Sequence, residues 1–121
     1  MHQTSKNLIV VEDEPLLAMM IEDLVQDLGW TVDGSAYTEA DAFIILAGCT
    51  PTLALLDINL ESTTSLAVAS ICRDRHIPIV FITGYTARDV PLQCGDAPIL
   101  TKPFSTDDLQ QAIRRAISVD H

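Results

Sequence analysis

Leu53-Ala54-Leu55-Leu56-Asp57 is an unbroken apolar run closed by a carboxylate. Apolar side chains on consecutive positions suit a strand buried on both faces, as in a parallel sheet covered by helices. A carboxylate at the end of such a run is poorly explained by stability alone, because burying a charge is costly unless it is paired. The pattern recurs three times. Leu8-Ile9-Val10-Val11 leads into Glu12-Asp13, Ile79-Val80-Phe81-Ile82 into Thr83, and Ile99-Leu100 into Thr101-Lys102. On strands lying side by side, these closures would gather carboxylates, a hydroxyl and an ammonium at one end of a sheet.

The segments between the runs carry helical signals. Glu14-Pro15 opens the first, since proline suits a first turn. Leu17, Met20, Ile21, Leu24 and Leu28 then fall on one face, and Gly29 is a C-terminal cap. A strand follows over Thr31 to Ala36. Thr38-Glu39-Ala40-Asp41 reads as a capping box that opens a helix to about Ala47. A third helix is expected from about Thr64 to Asp74. Thr86-Ala87-Arg88-Asp89 starts another, which Pro91 should stop after about one turn. Ser105-Thr106-Asp107-Asp108 opens the last, with Leu109, Ala112, Ile113, Ala116 and Ile117 facing inward. Strand and helix alternate five times, which predicts an α/β doubly wound parallel sheet with about five helices. In such sheets ligands bind beyond the carboxyl ends of the strands, where the winding reverses.

Size and charge limit the function. A chain of 121 residues, 48% hydrophobic, fits a single domain over 1–121 with one real core. The formal net charge of −10 argues against direct nucleic-acid binding and against an anionic membrane surface. Cys49, Cys72 and Cys94 are odd in number and lack zinc spacing, so free thiols in a reducing compartment are expected. Met1 to Asn7 leads into only four apolar residues, too few for a signal-peptide core, and no run approaches a membrane span. The expected location is the cytoplasm.

The strand-end residues suggest a chemistry. Glu12, Asp13 and Asp57 brought together repel one another, and a hard divalent cation relieves the repulsion. All-oxygen ligation suits Mg²⁺ or Mn²⁺. A carboxylate beside such an ion can act as a nucleophile toward phosphorus and form an acyl phosphate. Lys102 and Thr83 could then hold further phosphoryl oxygens. An X-Pro bond can be cis, and the sequence leaves Lys102-Pro103 open.

Glu12-Asp13, Asp57, Thr83 and Lys102-Pro103 resemble the signature of response-regulator receiver domains of two-component signalling, over about Asn7 to Ser118. The resemblance implies the flavodoxin-like strand order 2-1-3-4-5. It implies that Asp57 accepts a phosphoryl group from a sensor histidine kinase or a histidine phosphotransfer protein. Asp13, Asp57 and the backbone carbonyl of Asn59 would hold the metal, with Glu12 acting through a bound water. Such a domain is a phosphoacceptor and not an enzyme on outside substrates. It signals through a downstream protein partner or output domain, and a homodimer is compatible with it.

Two departures concern transmission. Typical receivers carry an aromatic residue three positions before the lysine, which rotates inward on activation; here the residue is Ile99. Phe81-Ile82-Thr83-Gly84-Tyr85 is similar instead to the Phe-Ala-Thr-Gly-Tyr pattern of the FATGUY receiver subgroup, which also lacks the aromatic switch. Gly84, Tyr85, Ile99 and Pro103 therefore mark the expected signalling surface. The alternative reading is a receiver fold that binds protein without phosphorylation. A phosphotransferase or phosphatase on an external small molecule is disfavoured, since the sequence offers no separate substrate motif and no spare general base.

Overall fold

The computed structural model describes residues 6–60, 63–84 and 91–119. Strands β1 (Asn7–Val11), β2 (Thr31–Ala36), β3 (Leu53–Asp57), β4 (Ile79–Thr83) and β5 (Ile99–Thr101) alternate with helices α1 (Pro15–Asp27), α2 (Glu39–Gly48), α3 (Leu66–Asp74) and α4 (Thr106–Val119). A 3₁₀ turn over Leu92–Cys94 precedes β5. All strand pairs are parallel, in the order β2-β1-β3-β4-β5. The helix expected at Thr86–Asp89 lies outside the described residues.

The unbroken apolar runs reflect a sheet covered twice. Leu8, Val10, Leu53, Leu55, Val80 and Ile82 pack with α1 and α4. Their neighbours Ile9, Val11, Ala54, Leu56, Ile79 and Phe81 pack with α2 and α3. Successive strand side chains point to opposite faces, so each layer receives every second residue. Each fully buried aliphatic or aromatic side chain contributes about 1.5–3 kcal/mol.

Helix ends follow the expected chemistry with small shifts. The Asp41 N–H donates to Thr38 Oγ1 at 3.1 Å at the start of α2. At α4 the box is reciprocal. Asp108 N–H donates to Ser105 Oγ at 3.0 Å, and Ser105 N–H to Asp108 Oδ2 at 3.1 Å. The third helix begins at Leu66, two residues later than expected. Two inward assignments are corrected. Met20 is 48% exposed and Ile117 42% exposed, because the neighbouring layer does not reach that far around α1 or to the last turn of α4. Met20 joins Leu16 and Met19 in an exposed apolar stripe on α1. Among the described residues no helix is long and apolar enough to cross a membrane. All three cysteines are free, and burial raises each thiol, Cys72 to about 11.

Candidate functional site

The backbone ladder continues one residue beyond three strands and so fixes the site. Glu12 N–H donates to Ala36 O at 2.9 Å, Ile58 N–H to Ile82 O at 2.9 Å, and Lys102 N–H to Thr83 O at 2.8 Å. Glu12, Asp57 and Lys102 keep the alternation of Leu8-Val10, Leu53-Leu55 and Leu100, which face the α1/α4 layer. That shared parity brings their side chains together. Thr83 closes β4 beside them and is 1% exposed.

Lys102 Nζ donates to Asp57 Oδ2 at 2.8 Å and lies 3.1 Å from Glu12 Oε1. The second Asp57 oxygen, Oδ1, accepts from Asn59 N–H at 3.2 Å, and Glu12 Oε2 accepts from Glu14 N–H at 3.1 Å. Carboxylate oxygens of Glu12, Asp13 and Asp57 all lie within 4.8 Å of one another. Asp13 is half-buried, whereas Glu12 and Asp57 are buried. Lys102-Pro103 is cis.

Electrostatics set Glu12 apart. Burial pushes its carboxyl up to about 7, and the hydrogen bond and charge of Asp57 push the same way, against Glu14 N–H and Lys102. Burial works to lower the Lys102 ammonium, but Asp57 and then Glu12 outweigh it, so its pKa is raised. Glu12 Oε1 lies 3.1 Å from the Lys102 ammonium, which it shares with Asp57. Three carboxylates against one ammonium leave a formal −2, and every donor is oxygen. Those properties fit a hard divalent cation.

The residue pattern of the response regulator receiver domain matches residues 8–114. The chain belongs to that family. It is 34% identical over 117 residues to the phyllosphere-induced regulator PhyR of Methylorubrum extorquens, covering 91% of this chain and 43% of that protein. It is 30% identical over 117 residues to the transcriptional regulatory protein PdtaR of Mycobacterium tuberculosis, covering 93% and 57%. The chain thus spans about half the length of these curated relatives. Among solved structures, SdrG from Sphingomonas melonis Fr1 superposes with a TM-score of 0.85 at 35% identity, over 96% of this chain and 99% of that one. The receiver domain of Erythrobacter litoralis PhyR gives 0.80 at 36%, over 97% and 93%. The strand order 2-1-3-4-5 is that of the family, which serves two-component signalling.

The sequence reading expected Glu12, Asp13, Asp57, Asn59, Thr83 and Lys102 at the site, and the fold brings the side chains of Glu12, Asp13, Asp57 and Lys102 together. It missed the direct Glu12–Lys102 pair, which follows only from the strand order. It also missed Ser65 at the start of α3, fully buried with no partner for its hydroxyl among the described residues. On the expected signalling surface, Gly84 and Pro103 are exposed. Tyr85 lies outside the described residues. Ile99 pairs with Phe81 in register and packs, half-buried, against the α2/α3 layer.

Proposed function

We propose that this chain works as a single phospho-accepting receiver domain with Asp57 as the acceptor. The observation that carries the reading is the Lys102 ammonium held between Asp57 and Glu12 at the carboxyl ends of a receiver-family sheet. An Asp57 oxygen takes the phosphoryl group from a phosphohistidine. An O–P bond forms as the N–P bond breaks, and the donor imidazole departs and takes up a proton. Asn59 N–H fixes the carboxylate rotamer through Oδ1. Lys102 balances charge on the transferring oxygens, the positioning role that dominates such transfers. Thr83, buried at the end of β4, is the hydroxyl that would meet the product.

Asp13, Asp57 and the Asn59 carbonyl would hold Mg²⁺ or Mn²⁺, with Glu12 acting through water. When bound, the ion neutralises phosphoryl oxygen charge and draws the carboxylates together. The donor is a sensor histidine kinase or a histidine phosphotransfer protein, which places the chain in the cytoplasm. The signal passes to a downstream protein or output domain, with Gly84, Tyr85, Ile99 and Pro103 as the responding surface. One PhyR relative, from Bartonella quintana, is named an anti-anti-sigma factor; it is 35% identical, and the match covers 50% of that chain. A protein partner for this chain accords with it.

Intact mass after incubation with acetyl phosphate and Mg²⁺ tests the assignment. The parent gains one phosphoryl group and Asp57→Asn gains none. Equal labelling of both would sink it.

A further inference from the structure

The end of the sheet remote from Asp57 carries a second cavity, of about 440 Å³, that phosphoryl chemistry does not use. Lys6, Trp30, Pro51, Thr52, Ile77 and Pro78 line it, all just before the first residues of β1, β2, β3 or β4. A five-residue strand at about 3.3 Å per residue puts it roughly 15 Å from the carboxylates. Arg75, His76 and Ile117 complete its wall.

Two helix ends of one design build it. At the end of α1, Gly29 N–H donates to Gln26 O at 3.0 Å and Trp30 N–H to Val25 O at 2.9 Å. At the end of α3, His76 N–H donates to Arg73 O at 3.0 Å and Ile77 N–H to Cys72 O at 2.8 Å. Both are Schellman turns, which need a left-handed residue after the helix. Trp30 and Ile77, the next residues, become apolar wall. The left-handed residue is Gly29 (φ 94°) in one turn and His76 (φ 58°) in the other. Glycine adopts that conformation freely and histidine does so under strain. The histidine side chain is kept at the cavity wall despite that strain.

The lining is biased in charge. Lys6, Arg75 and His76 share the wall with Thr50, Thr52 and five apolar residues, and among the described residues no lining residue is acidic, in a chain of net charge −10. Among the described residues, the neighbouring carboxylates Asp33 and Asp96 line the flanking hollows, which Lys6 and His76 also border. Compensation of the α3 dipole does not account for all three groups. Lys6 belongs to no helix, and Arg75 donates at 2.7 Å to both Leu46 O and Cys49 O, at the end of α2. The volume falls in the range of small-molecule sites, about 300–1,000 Å³.

We infer that this basal cavity binds a small organic anion with an apolar body. The body lies against Trp30, Pro51 and Ile77, and the anionic group lies toward Lys6, Arg75 and His76.

Trp30 is the only tryptophan, so its emission reports occupancy. The whole chain is titrated with 8-anilinonaphthalene-1-sulfonate, then with octanoate, octanol and octyltrimethylammonium as competitors. The expected result is one saturable site with energy transfer from Trp30, displaced by octanoate at least about tenfold better than by the neutral or cationic chain. Ile117→Glu adds a negative charge at a position already 42% exposed and should weaken the dye at least about tenfold. His76→Gly should raise the melting temperature by relieving the backbone while weakening the dye. Displacement without regard to charge, or an Ile117→Glu titration matching the parent, would overturn the proposal. So would a His76→Gly variant that binds as the parent does. Self-association that Ile117→Glu abolishes, without a one-to-one dye site, would make a second copy the occupant and equally overturn it.

Discussion

Glu12 and Lys102 meet at 3.1 Å although they close β1 and β5, with β3 and β4 between them. Three strand spacings of about 4.8 Å separate those backbones by roughly 14 Å. Only two long side chains reaching toward each other can close that gap, and Asp57 on β3 sits beneath the contact. The ammonium thus holds two buried carboxylates at the heart of the site.

Removing the ammonium should therefore destabilise the metal-free protein. Breaking a fully buried pair costs about 3–5 kcal/mol, and Lys102 is partly exposed, so Lys102→Met should lose about 1–3 kcal/mol at pH 8. Urea unfolding in chelator measures it. Added Mg²⁺ should recover more stability in the variant than in the parent. A variant as stable as the parent without metal would show that the pair does not hold the site. In the same variant, phosphorylation should persist in part while the conformational response is lost.

Glu12 gives the site a pH signature. Its folded pKa is about 7, against 4.5 as the ordinary value, so between these values the folded protein holds a proton that the unfolded chain has released. Stability from this group is full below about 4.5 and is lost as pH rises through about 7. Metal-free parent protein should accordingly lose stability between pH 5 and pH 7.5 relative to Glu12→Gln, which cannot titrate. Parallel stability profiles for the two proteins would remove Glu12 from this role.

The central strands β1, β3 and β4 were legible in the sequence because burial on both faces writes an unbroken apolar run, whereas the edge strand β2, Thr31–Ala36, carries no such run and is largely exposed. Helix starts were legible where Thr38 and Ser105 supply caps. Helical period fixes which residues share a face but not how far the next layer covers it, so Met20 and Ile117 were placed inward and lie outward. Glu12–Lys102 needs the strand order, which no local pattern carries. Nothing in Arg75-His76-Ile77 announces a left-handed residue, since the usual signal there is glycine. The basal cavity has no local signature because its lining comes from three connections, the residue before β1 and the last turn of α4, far apart in the chain.

Metal affinity should separate the acidic residues. If Asp13 is a direct ligand and Glu12 acts through water, Asp13→Ala should abolish measurable Mg²⁺ binding. Glu12→Ala should weaken it by about tenfold, as for an outer-shell partner. Calorimetric titration of both variants decides. The reverse order would exchange their roles.

Ser65 offers a test of the α3 start independent of phosphorylation. Its N–H donates to Ile58 O at 2.9 Å and its carbonyl accepts from Ala69 N–H at 2.9 Å, so the backbone is satisfied. Its Oγ is buried without a partner among the described residues. An unpaired buried hydroxyl costs about 1–3 kcal/mol, and a methyl group occupies nearly the same space. Ser65→Ala should thus stabilise the metal-free protein by about 1 kcal/mol in urea unfolding and leave acetyl phosphate labelling of Asp57 unchanged. A loss of stability would mean that the hydroxyl finds a partner in solution. A loss of labelling at undiminished stability would mean that it positions the segment between Asp57 and α3 for phosphoryl transfer.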